Sequence, residues 1–159
     1  MKKVILLIWL IIPFMTKAQH NHFDSYPQYT GDDLGLHYSP GKSSFRIWAP
    51  TATKAQLLLY NNGIYGTVTQ TIDMQKSQSG TWVTSVKKEL KGTFYTFRVQ
   101  IDNRWLREVP DPYAKSVGVN GKRALVVDLK ETDPENWSAD KSPLLKNPTD
   151  AIIYELHVR

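Results

Sequence analysis

The sequence predicts an all-β fold in which two antiparallel sheets form a sandwich. Three observations support this: apolar residues fall in short extended segments, turn-forming residues separate those segments, and no segment before Thr132 repeats its apolar residues with a helical period. A length of 159 residues suits one domain and is too short for a (β/α)8 barrel, which needs about 250 residues. The chain has no Cys, so its core must hold the fold without disulfides.

The predicted strands follow an irregular lead-in at residues 19–44, which is rich in Pro, Gly and Asp. We place extended segments at residues 45–49, 55–60, 66–74, 81–90, 93–101, 105–109 and 124–129. A tight turn at Asp102 and Asn103 joins two of these segments into a hairpin. Several short strands separated by turns are typical of an immunoglobulin-like sandwich, which we place at residues 45–130.

Residues 1–18 have the organisation of a secretory signal peptide. Two lysines precede an apolar run at residues 4–15, and small residues stand near Ala18, where a signal peptidase would cut. The run is shorter than the roughly 20 residues of a membrane-spanning helix. We expect cleavage after Ala18, with an uncleaved anchor as the alternative. The cleaved protein is expected in the periplasm, on the cell surface or outside the cell, with no membrane association.

Charge and motifs exclude several functions. Cleavage would remove three lysines and no acidic residue, which lowers the formal net charge from +5 to +2. No run of Lys and Arg is longer than a pair such as Lys87 and Lys88, so a nucleic-acid partner is not expected. His20 and His22 lack a third ligand at a metal-site spacing, and no phosphate-binding glycine motif occurs, so no metal or cofactor is assigned.

No residue of this chain is assigned a catalytic role. Glycosidic bonds are hydrolysed by two carboxyl groups that flank the bond across a sugar-binding cleft. Asp32, Asp33 and Asp111 stand among turn-forming residues, where such side chains usually stabilise the turn.

The last part of the chain differs in composition. Residues 131–149 carry prolines at both ends and read as a connector, on which Trp137 is expected to anchor the segment to the sandwich. Residues 150–159 then begin a new β run. A strand that follows such a connector is expected to be the first strand of another domain.

Four sequence blocks resemble, in the same order, the amino-terminal part of type I pullulanases, which belong to the α-amylase superfamily of glycoside hydrolases. They are YTGDDLGL at 29–36, FRIWAPT at 45–51, DPYAKSVGVNGKRALVVDL at 111–129 and DAIIYELHVR at 150–159. The resemblance implies an early-set, family-48 starch-binding-like module, followed by a truncated first strand of a missing (β/α)8 barrel. Pullulanases debranch α-1,6-linked glucans, and the resemblance places their catalytic carboxylates on later strands.

Four residues are candidates for carbohydrate binding. Exposed aromatic rings can cover the apolar faces of sugars while neighbouring polar groups bond the hydroxyls. Trp105 follows the Asp102 turn, where glycogen-binding relatives carry a stacking Trp, and Asn61, Asn62 and Tyr65 lie in the loop that resembles their other binding loop. The alternative for Trp105 is a strand residue that packs beneath the module or against the barrel. No second stacking Trp matches, so weak binding of pullulan, starch or glycogen is expected.

A second group is assigned to contact between the module and the barrel. Pro112 presets its own φ and keeps Asp111 out of the helical region, so the chain enters a fixed turn that presents Tyr113. Tyr154 and His157 lie on the expected first barrel strand. The sequence therefore predicts a non-catalytic module of a secreted pullulanase-like glycoside hydrolase. The alternative is a free-standing glucan-binding or structural module.

Overall fold

The computed structural model describes residues 23–157. The predicted signal segment and the pair His20 and His22 lie outside the described residues. Nine strands occur in this range: β1 (Gly35–Ser39), β2 (Lys42–Trp48), β3 (Lys54–Tyr60), β4 (Gln70–Asp73), β5 (Gln75–Lys76), β6 (Thr81–Val86), β7 (Phe94–Ile101), β8 (Arg104–Trp105) and β9 (Ala124–Leu125). Between residues 23 and 157 the only helices are short 3₁₀ turns: Phe23–Ser25, Gln78–Gly80, Val119–Gly121, Leu129–Glu131, Trp137–Ala139 and Pro148–Asp150.

The strands form two antiparallel sheets. The first sheet has the order β1-β2-β6-β5, and the second has the order β4-β3-β7-β8, with β9 also beside β7. Apolar side chains from both sheets share one buried cluster, so the sheets pack face to face. The predicted all-β, immunoglobulin-like sandwich is confirmed.

Three aromatic rings form the centre of the core. Phe45 of β2 meets Tyr95 and Phe97 of β7 edge to face, at centroid distances of 5.1 and 6.3 Å. Trp82 of β6 is also buried, and its indole N–H donates to the carbonyl oxygen of Ala49 at 3.1 Å. The single polar atom of the Trp82 side chain is thus hydrogen-bonded, while its ring adds to the buried apolar area that stabilises the sandwich.

The predicted lead-in is not irregular throughout, because residues 35–39 form strand β1. This strand pairs with β2 from Gly35 opposite Arg46 to Ser39 opposite Lys42. Leu36 packs against the core while His37 is exposed, which is the alternation of a strand with one buried face. Abundant turn-forming residues nearby concealed this alternation, so the sandwich begins before residue 45.

Polar contacts attach the rest of the lead-in to the sandwich. The carboxylate of Asp33 accepts hydrogen bonds from the Tyr29 hydroxyl and, at 2.9 Å, from Nε of Arg46. These bonds lower the pKa of Asp33, with the Tyr29 bond the largest cause. The indole N–H of Trp48 donates to the carbonyl oxygen of Pro27 at 3.0 Å. Asp33 therefore attaches the lead-in to β2, whereas its turn context predicted that it stabilises a turn.

A β-bulge shortens the strand predicted at residues 105–109. Trp105 lies opposite Gln100, and Val109 lies opposite Phe97. Three residues of one strand therefore face two of the other, and regular pairing stops after Trp105. Such an extra residue changes which side chains reach each face of the sheet, and here it leaves Glu108 on the outer face.

Residues 151–157 form no strand, although the sequence predicts one there. Four large side chains of this stretch are more than four-fifths exposed: Ile152, Ile153, Tyr154 and Leu156. The assignment to a barrel strand stays a prediction. Trp137 is 58% exposed, and its anchoring to the sandwich stays a prediction. Among the described residues, no helix is both long and apolar enough to cross a membrane.

Candidate functional site

The candidate site lies on the outer face of the second sheet. Tyr95 and Phe97 of β7 point into the core, so their neighbour Arg98 points outward. Gln56 lies opposite Arg98, and Trp105 lies opposite the outward-facing Gln100. Directly opposed residues share a face, so these side chains all lie on the outer surface.

Four side chains on this outer surface form a continuous row across four strands, which we call the Trp105 row. They are Asp73 of β4, which lies opposite Gln56, then Gln56 of β3, Arg98 of β7 and Trp105 of β8. The Arg98 guanidinium carbon lies 4.9 Å from the centroid of the Trp105 ring. Nε of Arg98 donates to Oε1 of Gln56 at 2.8 Å, and Nε2 of Gln56 donates to Oδ1 of Asp73 at 2.6 Å. Within residues 23–157, no hydrogen bond engages the two terminal nitrogens of Arg98.

A tight turn places Trp105 at the end of the row. Asp102 and Asn103 have φ angles of 49° and 61°, the left-handed values that a two-residue type I′ hairpin turn requires at both central positions. The predicted turn is therefore confirmed. Trp105 is half-buried, so its ring is in part packed and in part open to solvent.

The other three candidates, Asn61, Asn62 and Tyr65, lie in a loop that hydrogen bonds within the protein stabilise. Oδ1 of Asn62 accepts hydrogen bonds from the backbone N–H groups of Ile64 at 2.9 Å and Tyr65 at 3.0 Å. Its side chain thus holds the turn. The side chain of Tyr65 is 73% exposed, and Asn61 is also exposed.

Arg123 organises the same loop and was not singled out from the sequence. Its Nη1 donates to the carbonyl oxygens of Asn62 at 2.6 Å and Tyr65 at 2.7 Å, and its Nη2 donates to that of Gly66 at 3.2 Å. Its guanidinium carbon lies 3.5 Å from the centroid of the Tyr60 ring. A single arginine beside a strand carries no sequence signal of this role, since its partners are 57–61 residues away.

The structure does not bring the four sugar-binding candidates together. Trp105 lies at the end of the sheet where β3 begins, since its partner Gln100 also pairs with Lys54. The 61–65 loop leaves the other end of β3, after Tyr60. Seven strand residues span roughly 20 Å, at about 3.3 Å per residue. The two regions are therefore separate surfaces.

Glu108 lies on the outer face between these two regions. Its Oε2 accepts a hydrogen bond from Oγ1 of Thr96 at 2.5 Å and another from the Tyr60 hydroxyl. Burial, followed by this bond to Glu108, raises the pKa of Tyr60. The contacts explain why the bulge after Trp105 is useful: it brings a carboxylate to two hydroxyls that would otherwise be buried without an acceptor.

Asp111 points into the sandwich. Only 4% of it is exposed, and its carboxylate accepts hydrogen bonds from the Tyr95 hydroxyl and the Tyr113 backbone N–H, both at 2.8 Å. Burial raises the pKa of Asp111, and the two hydrogen bonds oppose that shift. A Cβ at Gly35 would lie 2.7 Å from the Tyr113 Cβ, so only glycine permits this approach. Asp111 can therefore serve an interdomain contact only through the turn it stabilises.

An open apolar groove lies beside that turn. Its cavity has a volume of about 390 Å³, and the side chains of Phe97, Val99, Leu106 and Val109 line it together with Tyr113. Tyr113 is 56% exposed. Tyr154 and His157 are exposed in the stretch 151–157. Among the described residues, no cluster of three or more His, Cys, Asp or Glu side chains could hold a metal ion.

Comparison with known proteins gives the family. Residues 33–114 match carbohydrate-binding module 48, the isoamylase N-terminal domain. The chain belongs to this family. The match begins inside the predicted lead-in and ends just after Tyr113, so it contains Trp105, the 61–65 loop and the groove.

Several pullulanases are similar to the chain, which confirms the resemblance seen in the four blocks. The chain is 34% identical to a Bacillus subtilis pullulanase over 137 residues, and 32% identical to chloroplastic pullulanase 1 of Arabidopsis thaliana over 135 residues. These matches cover 86% and 79% of the chain but only 18% and 14% of the relatives. The module therefore corresponds to a small, amino-terminal part of much longer proteins.

A solved structure agrees with both the fold and the family. The pullulanase from Paenibacillus barengoltzii, in complex with maltohexaose and α-cyclodextrin, is 45% identical to this chain with a TM-score of 0.79. The match covers 86% of this chain and 21% of that one.

Proposed function

We propose that this module binds α-glucan chains at Trp105, with Arg98 as the polar partner. The observation that carries the proposal is the Trp105 row, in which a half-open indole lies beside a guanidinium whose terminal nitrogens have no hydrogen-bond partner among residues 23–157. The family to which the chain belongs is a carbohydrate-binding one, and the similar Paenibacillus barengoltzii protein was solved with maltohexaose and α-cyclodextrin. Both support the same class of ligand.

The chemistry suits a glucose ring. The C–H face of the sugar would stack on the part of the indole that Arg98 does not cover and remove apolar area from water, while the terminal N–H groups of Arg98 donate to neighbouring hydroxyls and fix the ring orientation. One half-buried ring supplies little area, so a dissociation constant near 1 mM is expected, about −4 kcal/mol.

Isothermal titration with maltoheptaose tests the site. Trp105→Ala should weaken binding more than tenfold, because the stacking surface is lost. Trp137→Ala is the matched control, since it removes an exposed indole from the connector. A β-1,4-linked oligosaccharide of the same length should bind less well. Equal affinity of the Trp105→Ala variant and the wild-type protein would overturn the assignment.

We also propose that the module serves a glycoside hydrolase that debranches α-glucans, in which the groove beside Tyr113 meets the catalytic barrel. The pullulanases similar to this chain are much longer, and the groove presents apolar side chains next to an exposed tyrosine. In such an enzyme the hydrolytic carboxylates come from the barrel. The coding sequence beyond Arg159 is expected to encode a barrel with three acidic residues at strand ends. An unrelated sequence there would favour the free-standing module.

Export of the protein is a further proposal, supported by the basic start and the apolar run of residues 1–18. Amino-terminal sequencing of protein recovered from outside the cytoplasm should begin at Gln19. Recovery of a chain that keeps Met1 in the cytoplasm would contradict it.

A further inference from the structure

We propose that Gln56 and Asp73 are positioning residues, which hold Arg98 over Trp105 and so increase the affinity of the site for glucan. The inference rests on the proposed function, because it concerns the same surface. Neither residue is expected to touch the sugar. They act through Arg98, from strands β3 and β4, which lie on the side of β7 away from Trp105.

The register of the sheet aligns Asp73, Gln56 and Arg98, whose two hydrogen bonds we call the relay. Gln56 of β3 lies directly opposite Asp73 of β4 on one side and Arg98 of β7 on the other. The three side chains share the outer face, and their contacts of 2.6 and 2.8 Å form one line across three strands. A slip of one residue between any two of these strands would turn one of the three to the core side.

The acceptor-only carboxylate of Asp73 sets the direction of this line. An ionised carboxylate can only accept, so the Gln56 side chain must present its NH₂ group to Asp73. Its carbonyl oxygen then points the other way and accepts from Nε of Arg98. Without Asp73, the amide could present NH₂ to Arg98, which has no acceptor to offer it. Asp73 therefore keeps the Gln56 amide in the orientation that binds arginine.

The choice of the Arg98 nitrogen matters for binding. Because Gln56 engages Nε, both terminal nitrogens remain available to hydroxyl groups. The bond also restrains a long side chain before the ligand arrives, which reduces the ordering cost of binding. We expect that loss of this restraint lowers glucan affinity by about threefold to tenfold. Asp73 is exposed and Gln56 half-buried, so the contribution of their contact to folding should be small.

The experiment compares Gln56→Ala, Asp73→Ala and Asp73→Asn with the control Thr71→Ala. Thr71 lies two residues from Asp73 on the same strand, is exposed, and faces Leu58 rather than Gln56. Each variant is labelled with ¹⁵N. The Nε–H resonance of Arg98 and the indole N–H of Trp105 are followed without sugar, after assignment with Arg98→Lys and Trp105→Phe. The affinity for maltoheptaose is then measured by titration.

In Gln56→Ala and Asp73→Ala we expect the Arg98 Nε–H to exchange faster with water, the Trp105 indole resonance to shift, and the affinity to fall by about threefold to tenfold. Asp73→Asn keeps an acceptor and should restore part of each effect. Thr71→Ala should match the wild type. Unchanged Arg98 and Trp105 resonances in Gln56→Ala would overturn the inference, and so would changed resonances with unchanged affinity.

The two proposals can fail separately. If the wild-type protein binds no maltoheptaose, the proposed glucan site fails. The hydrogen bond between Gln56 and Arg98 is then still tested by the Arg98 and Trp105 resonances of the sugar-free protein. If the wild type binds and Trp105→Ala does not, while Gln56→Ala binds as tightly as wild type, the glucan site stands and the relay is overturned.

Discussion

The two ends of one sheet face use the same kinds of residue in opposite ways. At the loop end, the guanidinium of Arg123 covers the ring of Tyr60 and gives its N–H groups to three backbone carbonyls. At the hairpin end, the guanidinium of Arg98 lies over the ring of Trp105 and, within residues 23–157, donates to a protein acceptor only from Nε. Arg123 therefore uses its N–H groups to hold the protein together, whereas the terminal N–H groups of Arg98 are available to a ligand.

The difference lies in what surrounds each arginine. Arg123 is only 9% exposed, so each of its N–H groups needs a partner within the protein. Arg98 lies on an open sheet face, where water can occupy donors that a ligand later takes. Binding chemistry is thus expected at the end whose hydrogen bonds the protein has not already used.

The largest effect is expected from Arg123→Ala. The substitution leaves the carbonyl oxygens of Asn62, Tyr65 and Gly66, in and just after the 61–65 loop, without their donor. It also removes the cation from the Tyr60 ring. The free energy of unfolding in urea should fall by about 2–4 kcal/mol. The neighbouring exposed Lys122→Ala is the control and should change it by less than about 0.5 kcal/mol. A loss below about 1 kcal/mol would show that the loop does not depend on this residue.

Arg98→Ala should affect binding more than folding. The affinity for maltoheptaose is expected to fall about tenfold, equivalent to about 1.4 kcal/mol, because the hydroxyls lose their donors. The free energy of unfolding should change by less than about 1 kcal/mol, since a partly exposed cation contributes little. Lys87→Ala removes the same charge elsewhere and controls for net charge. A variant that unfolds easily but binds normally would reverse the contrast between the two ends.

Asn62→Ala should have a smaller effect, confined to the loop end. The variant loses an acceptor for two backbone N–H groups, so the free energy of unfolding should fall by about 1 kcal/mol. Asn61→Ala is the matched control next to it, because this exposed residue holds no such turn. Equal effects of the two substitutions would contradict the role given to Asn62.

The smallest effect is expected from Tyr65→Ala. The side chain is exposed and lies at the far end of the face from Trp105. We expect the affinity for maltoheptaose to change by less than about twofold, or roughly 0.4 kcal/mol. Trp105→Ala, measured in the same titration series, supplies the reference. A loss as large as that of Trp105→Ala would mean that the loop contributes a contact of its own, as the sequence predicts.

Predictions from sequence succeeded where local pattern dominates. The alternation of Phe94 to Ile101, the turn at Asp102 and Asn103, and the run that forms β3 all appear as predicted. They failed at β1, whose five residues stand among turn formers, and after Trp105, where a bulge ends the strand. In both places the partner strand lies close in the chain, but turn-forming residues around β1 and the extra residue after Trp105 interrupt the alternation by which a strand is recognised.

The amino-acid sequence by itself determined the sandwich fold and the family, because each depends on short patterns or on ordered blocks, and it made Trp105 a candidate for sugar binding. The tertiary structure decided which side chains meet. It separated Trp105 from the 61–65 loop, turned Asp111 inward, and joined Asp73, Gln56 and Arg98 across three strands. The physical reason is register: strands far apart in the chain align residue by residue, and that alignment chooses the neighbours on each face.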